Sequence, residues 1–166
     1  VVGIFSRSSL MEALQRSAPL GLNGNPQRDR EPDAIRPSIP ELGRLRVLVV
    51  DDNAINRRVL SRLLANLGLS RIECATGAAE AIEMLDQSSF DLVLMDIQMP
   101  DVDGYMATRL IRAKGFSHVK IIACSAHAFE ADVKRSHEEG MDGHISKPVV
   151  AAELAEVIKA LFAHGA

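Results

Sequence analysis

Cysteine is scarce in this chain of 166 residues, which has only Cys74 and Cys124. Two cysteines cannot build the disulfide framework of a small secreted domain. Both lie in apolar runs that read as strands, so reduced thiols inside a core are expected. Long apolar stretches are missing too: no run reaches the roughly 18 residues of a membrane span, and no leader pattern is visible. Membrane contact is therefore not expected. Nor is there an excess of charge of one sign. Lys and Arg number 19 against 22 Asp and Glu, a formal net charge of -3, and residues 1–43 carry five of each sign. That balance argues against a nucleic-acid surface. The chain does not begin with Met, and it reads as a cytoplasmic fragment of a longer protein.

Hydrophobic residues make up 47% of the chain and charged residues 25%, enough apolar material to bury a real core. Proline and glycine are unevenly placed. Residues 19–44 hold Pro19, Pro26, Pro32, Pro37 and Pro40 with Gly21, Gly24 and Gly43. Proline fixes φ and lacks an amide hydrogen, so this stretch reads as a semi-extended linker. Residues 1–18 contain a short helical pattern over Leu10–Arg16, with Ser8 or Ser9 as cap. A lone helix of that length is marginal in water, so it is expected to belong to another domain.

The third segment, residues 45–164, alternates between two kinds of element. Strand patterns fall at Leu45–Val50, Arg71–Ala75, Asp91–Met95, Val119–Cys124 and Gly143–Ser146. Helical spacing falls at Asn53–Leu67, Ala78–Gln87, Tyr105–Ala113, Phe129–Glu139 and Val149–Phe162. Strict alternation of five strands with five helices implies an α/β domain whose strands run parallel and whose helices cover both sheet faces.

In such sheets ligands bind beyond the carboxyl ends of the strands, where the strand order switches. Asp51 and Asp52 follow the first strand, Asp96 the third, Ser125 the fourth and Lys147 the fifth. Three clustered carboxylates repel one another and call for a hard divalent cation bound through oxygen. The ligand set favours Mg²⁺ (or Mn²⁺) over zinc, which would want His or Cys. A lysine and a hydroxyl at the same rim point beyond simple metal binding. A carboxylate can attack a phosphoryl group to form an acyl phosphate, with catalysis resting on positioning and charge neutralisation. Asp96 stands alone at its strand end and reads as the nucleophile, with Asp51 and Asp52 as the acid pair holding the metal. Lys147 and Ser125 would meet the phosphoryl oxygens. Asn53 reads as a helix cap. His118, His127, His137 and His164 have no metal-ligand spacing, and Met95 and Met99 read as packing and loop residues.

Several segments together resemble the receiver domain of two-component signalling. They are Val49-Val50-Asp51-Asp52-Asn53, Leu94-Met95-Asp96-Ile97-Gln98-Met99-Pro100, Asp103-Gly104, Ile121 through Ala128, and Ser146-Lys147-Pro148. The resemblance spans about residues 45–163. It implies a flavodoxin-like doubly wound sheet of order 2-1-3-4-5. It also implies phosphorylation of Asp96 from a kinase phosphohistidine, and a domain that catalyses its own phosphorylation and slow hydrolysis. Mg²⁺ would be held by Asp52, Asp96 and the backbone carbonyl of Gln98, with Asp51 acting through water. Asp51-Asp52-Asn53-Ala54-Ile55-Asn56-Arg57 is most similar to receivers attached to hybrid sensor histidine kinases. A phosphohistidine domain, and a histidine phosphotransfer protein, are the implied partners. Phe5 through Leu14 is similar to the end of a preceding receiver-like domain, with Ser6 where a catalytic lysine would be expected.

Two positions depart from the family pattern. The usual threonine after the fourth strand is Ser125, and the aromatic switch position in the fifth strand is His144, which is smaller and polar. Two other readings stand beside the leading one. The linker could fold back and make the domain a docking or autoinhibitory module. Asp101-Val102-Asp103-Gly104 superficially matches the aspartyl phosphatases of the haloacid-dehalogenase type, but Pro100 separates it from the strand, and a turn with Gly104 permitting an unusual backbone fits better.

Overall fold

The computed structural model describes residues 42–163. Both the helical pattern at 10–16 and most of the 19–44 linker lie outside them, as do Ser6 and His164. The last linker residues, Leu42–Arg44, form a single 3-10 turn that buries Leu42. Beyond that turn the chain forms β1 (Arg46–Val50), α1 (Ala54–Asn66), β2 (Arg71–Ala75), α2 (Ala78–Gln87), β3 (Leu92–Asp96), α3 (Gly104–Ala113), β4 (Lys120–Ser125), α4 (Glu130–Glu138), β5 (Gly143–Ser146) and α5 (Ala151–Phe162). All strand pairs are parallel and the sheet order is β2-β1-β3-β4-β5, as the resemblance implied.

Side chains alternate across a strand, and here both faces are covered. Val47 and Val49 of β1 join Leu60, Leu64, Leu154 and Ile158 from α1 and α5. Leu48 and Val50 join Ala81, Leu85, Ala107 and Ile111 from α2 and α3 on the other face. This two-sided burial explains why β1, β3 and β4 read as unbroken apolar runs. Among the described residues no helix is long and apolar enough to cross a membrane.

The helix starts are set by local chemistry. Asn53 caps α1, its side chain accepting from the amides of Ile55 and Asn56. Asp103 caps α3 by accepting from the Met106 amide at 2.8 Å. So Asp101–Gly104 is a turn into α3, as expected. The unusual backbone, however, sits at Asp101, with φ 67, and not at Gly104. Gly104 is required for a different reason: a Cβ there would lie 2.4 Å from the carbonyl oxygen of Asp96. The absence of a side chain lets α3 start directly against the end of β3.

Some expected boundaries shift by a residue or two. β3 and β4 run one residue further than expected, because Asp96 still pairs with Cys124 and Ser125 with Ser146 in the parallel ladders. Asp96 and Ser125 are thus the last residues of their strands. α5 starts at Ala151, since Val150 is extended at φ -99 and ψ 133. The cysteine expectation holds for one residue only. Cys124 is buried, but Cys74 is exposed on edge strand β2, with Ser61 Oγ 3.4 Å from its sulfur. Burial pushes the Cys124 thiol up to about 12, so little of it is thiolate at neutral pH. A bulky maleimide added to the native chain is expected to label Cys74 alone, and Cys124 only after denaturation. Peptide mapping that found Cys124 labelled natively would contradict this core.

Candidate functional site

The sheet order reverses direction between β1 and β3, and the acidic side chains collect at the carboxyl ends of those two neighbours. Carboxylate oxygens of Asp51, Asp52 and Asp96 lie within 4.8 Å of one another. Asp51 and Asp96 are buried and Asp52 is exposed. From the end of β5, Lys147 Nζ donates to Asp51 Oδ2 at 3.0 Å and to Asp96 Oδ1 at 2.9 Å. One ammonium therefore bridges two buried carboxylates and offsets their mutual repulsion.

The two buried acids are differently provided for. Asp51 Oδ1 accepts from the Asn53 amide at 2.8 Å and from Asn56 Nδ2 at 3.2 Å, so both its oxygens are held. Asp96 has only the Gln98 amide, at 3.2 Å, and Lys147, both on Oδ1. Among the described residues Oδ2 accepts nothing, and no buried side-chain oxygen there lacks a partner, so Oδ2 opens to the surface. Burial pushes the Asp96 carboxyl above its ordinary value, and the nearby Asp51 charge acts the same way, against the opposing contact with Lys147. Burial would lower the Lys147 ammonium, but its hydrogen bonds to Asp96 and Asp51 outweigh that and hold it above its ordinary value. Lys147 is a fixed cation here, not a proton donor.

Three carboxylates against one ammonium leave a net negative cluster. All the donors are hard oxygens, and no imidazole or thiolate belongs to the group. The residues fit a divalent cation of the Mg²⁺ kind. Asp51, Asp52 and Asp96 are the side chains that would hold it, with the loop at Gln98 next to them.

Ser125 ends β4 on the same side of the sheet but turns away from the carboxylates. Its hydroxyl donates to the His127 carbonyl and meets His144 Nε2 at 2.9 Å. His144, half-buried on β5, points inward toward it. His118, His127 and His137 are exposed, and Met95 and Met99 are buried in the core, as expected. Sequence reasoning passed over two supports of the acid pair. Besides Asn56, Arg57 donates from Nη1 to the backbone carbonyls of Asp51 at 2.7 Å and Asp52 at 3.1 Å. Both lie one helical turn beyond the cap residue Asn53, a spacing that puts them over the loop they brace.

Comparisons with known proteins identify the family. The family described as response regulator receiver domain matches residues 47–159. Hybrid signal transduction histidine kinase L of Dictyostelium discoideum is 43% identical over 121 residues, which cover 69% of this chain. The chain spans only 7% of that relative's length. The receiver domain of the histidine kinase CKI1 from Arabidopsis thaliana, solved in complex with Mg²⁺ and BeF₃⁻, is 35% identical with a TM-score of 0.62, covering 74% of this chain and 92% of that one. A co-crystal structure from Saccharomyces cerevisiae contains the histidine phosphotransfer signaling protein Ypd1 and the receiver domain of its downstream response regulator Ssk1. It matches with a TM-score of 0.65 at 26% identity, covering 71% and 88% of the two chains.

Proposed function

Since the chain belongs to the response regulator receiver domain family, and is a receiver of His-Asp phosphorelay signalling, we propose that Asp96 is its phosphoacceptor. One observation carries this assignment: the Lys147 ammonium bridges Asp51 and Asp96 and leaves Oδ2 of Asp96 as the one carboxylate oxygen of the two buried acids that accepts no hydrogen bond among the described residues. Oδ2 attacks the phosphorus of a phosphohistidine. The O–P bond forms as the P–N bond breaks, and the imidazole leaves with the electron pair and takes up a proton. Asp96 is left as an acyl phosphate, which water later hydrolyses. Lys147 neutralises one phosphoryl oxygen, and the Ser125 hydroxyl leaves His127 to donate to another. Asp52, Asp96 and the Gln98 carbonyl would hold a Mg²⁺ ion, with Asp51 acting through water, and the bound ion would supply the remaining positive charge.

Metal dependence tests the acid pair directly. Uptake of a phosphoryl group from a small acyl phosphate is expected to stop when a chelator removes divalent cation. Asp52→Ala is expected to raise the Mg²⁺ needed for half-maximal uptake more than about tenfold. Asp52 is exposed, so its loss costs little stability. An unchanged Mg²⁺ requirement in that variant would remove Asp52 from the metal site.

The donor needs a place to dock. Ile55 and Val59 on α1 are 72% and 50% exposed, and Val150 before α5 is 55% exposed. A hollow of about 240 Å³ is lined by Asn56, Val59, Leu60, Lys147, Pro148 and Val149, and Asn56 and Lys147 also reach the carboxylates. Apolar side chains this exposed next to a reactive centre suit a histidine-bearing helical surface, here that of a phosphohistidine domain or phosphotransfer protein. Val59→Glu is expected to slow transfer from such a protein at least about tenfold and to leave uptake from a small donor unchanged. Equal slowing of both reactions would mean that the site, not docking, was damaged. We place the chain in the cytoplasm, within a hybrid histidine kinase.

A further inference from the structure

The switch position of this chain holds an imidazole, and its surroundings differ on its two sides. Nε2 faces the end of β4, 2.9 Å from Ser125 Oγ and 3.1 Å from the His127 carbonyl oxygen. Nδ1 faces α4, 2.9 Å from the hydroxyl oxygen of Ser136. Ser136 is buried, the one residue of α4 that is, and its hydroxyl also reaches the Asp132 carbonyl at 2.9 Å. The ring thus spans the gap between the loop after β4 and the helix that follows it.

Hydrogen accounting defines what Ser136 does. A carbonyl oxygen only accepts, so the His127 contact places a hydrogen on Nε2. When the ring is neutral, Nδ1 is an acceptor and the Ser136 hydroxyl donates to it. When the ring is charged, Nδ1–H donates to Ser136 Oγ, and the hydroxyl turns to the Asp132 carbonyl. Either protonation state is satisfied with the ring in the same place. A phenyl at 144 could make neither bond, and a phenol, with a single polar atom at its tip, could not span both sides as the two ring nitrogens do. An alanine at 136 would leave Nδ1 without a partner in a half-buried setting, where an unmet polar group is costly.

We propose that Ser136 is the positioning residue that ties His144 to α4, so that hydrogen bonds carry the displacement of Ser125 to that helix. This rests on Asp96 being the phosphoacceptor. A phosphoryl group on Asp96 draws the Ser125 hydroxyl off His127, the imidazole follows its freed partner, and α4 follows the imidazole because Ser136 holds the other nitrogen. Ser136 touches neither the carboxylates nor Lys147, and apart from the Asp132 carbonyl of its own helix the partner of its hydroxyl is His144.

The test uses the ¹⁵N-labelled chain with Mg²⁺ and beryllofluoride, an aspartyl-phosphate mimic. Amide shifts are followed at Asp96 and across residues 130–138, in the parent, Ser136→Ala, His144→Phe and the double variant. Ser136→Ala is expected to keep the shifts around Asp96, since it lies outside the site, and to lose those of α4. In the His144→Phe background the same substitution is expected to change nothing. An α4 response at parental size in Ser136→Ala overturns the proposal, as does an additional effect of Ser136→Ala when His144 is already absent. No beryllofluoride shift at Asp96 even in the parent is a distinct failure, that of the phosphoacceptor reading, and the tie falls with it.

Discussion

Asp96→Asn is expected to take up no phosphoryl group from a small acyl phosphate in the presence of Mg²⁺, while intact mass shows one added group on the parent. An amide has the shape of a carboxylate without its nucleophilic oxygen, and no other carboxylate can substitute. Both oxygens of Asp51 are held by Asn53, Asn56 and Lys147, and Asp52 has no bond to Lys147, the cation that would meet the phosphoryl oxygen. The loss should be complete, not partial. The fold should survive, because Lys147 keeps its bond to Asp51 and the substitution removes one of the clustered like charges. Burial holds the Asp96 carboxyl above its ordinary value, which marks it as a strained charge. Its removal is expected to change stability by no more than about 1 kcal/mol, with stabilisation the more natural sign. Uptake at the parental level in a folded Asp96→Asn chain would transfer the role to another residue.

Much of this site was legible in the sequence because it is built from strand ends. A parallel sheet fixes where each strand stops, so carboxylates, a hydroxyl and an ammonium found after four separate apolar runs must share a rim. The positions of Asp51, Asp96 and Lys147 came from that alone. The features that the pattern did not reveal lie in helices. Asn56 and Arg57 reach the acid loop from the first turn of α1, and in the sequence they are ordinary polar helix residues. Ser136 is a small polar residue on a helix with few apolar positions, and nothing in its spacing announces a partner on β5. Periodicity also misjudged Cys74, because an apolar run on an edge strand buries less than the same run at the centre of a sheet. Helix faces and sheet edges are decided by tertiary neighbours, strand ends by the chain itself.

Gly104 joins the fold to the chemistry, and Gly104→Ala is expected to damage both. The added Cβ would sit 2.4 Å from the Asp96 carbonyl oxygen, 2.9 Å from Ile97 Cα and 3.0 Å from the Asp96 carbonyl carbon. All three are backbone atoms that cannot rotate aside. Relief requires α3 to withdraw from the end of β3, which strains the bond from the Gly104 amide to the Ile97 carbonyl, now 3.0 Å. Ala is the better helix former by up to about 1 kcal/mol, but forced overpacking costs roughly 1–3 kcal/mol or more, and here there is no flexible neighbour to yield. A net loss of about 2 kcal/mol, seen as a melting temperature lowered by roughly 8 °C, is expected. The displaced backbone belongs to Asp96 itself, so phosphoryl uptake measured well below the melting temperature should slow as well. Gly77→Ala is the matched control: it too sits at a helix start, but with φ -178 and nothing within 4 Å of its would-be Cβ. That variant should melt and react like the parent. Should Gly104→Ala also match the parent in both measurements, the close approach of α3 to β3 would not be what sets the acceptor in place.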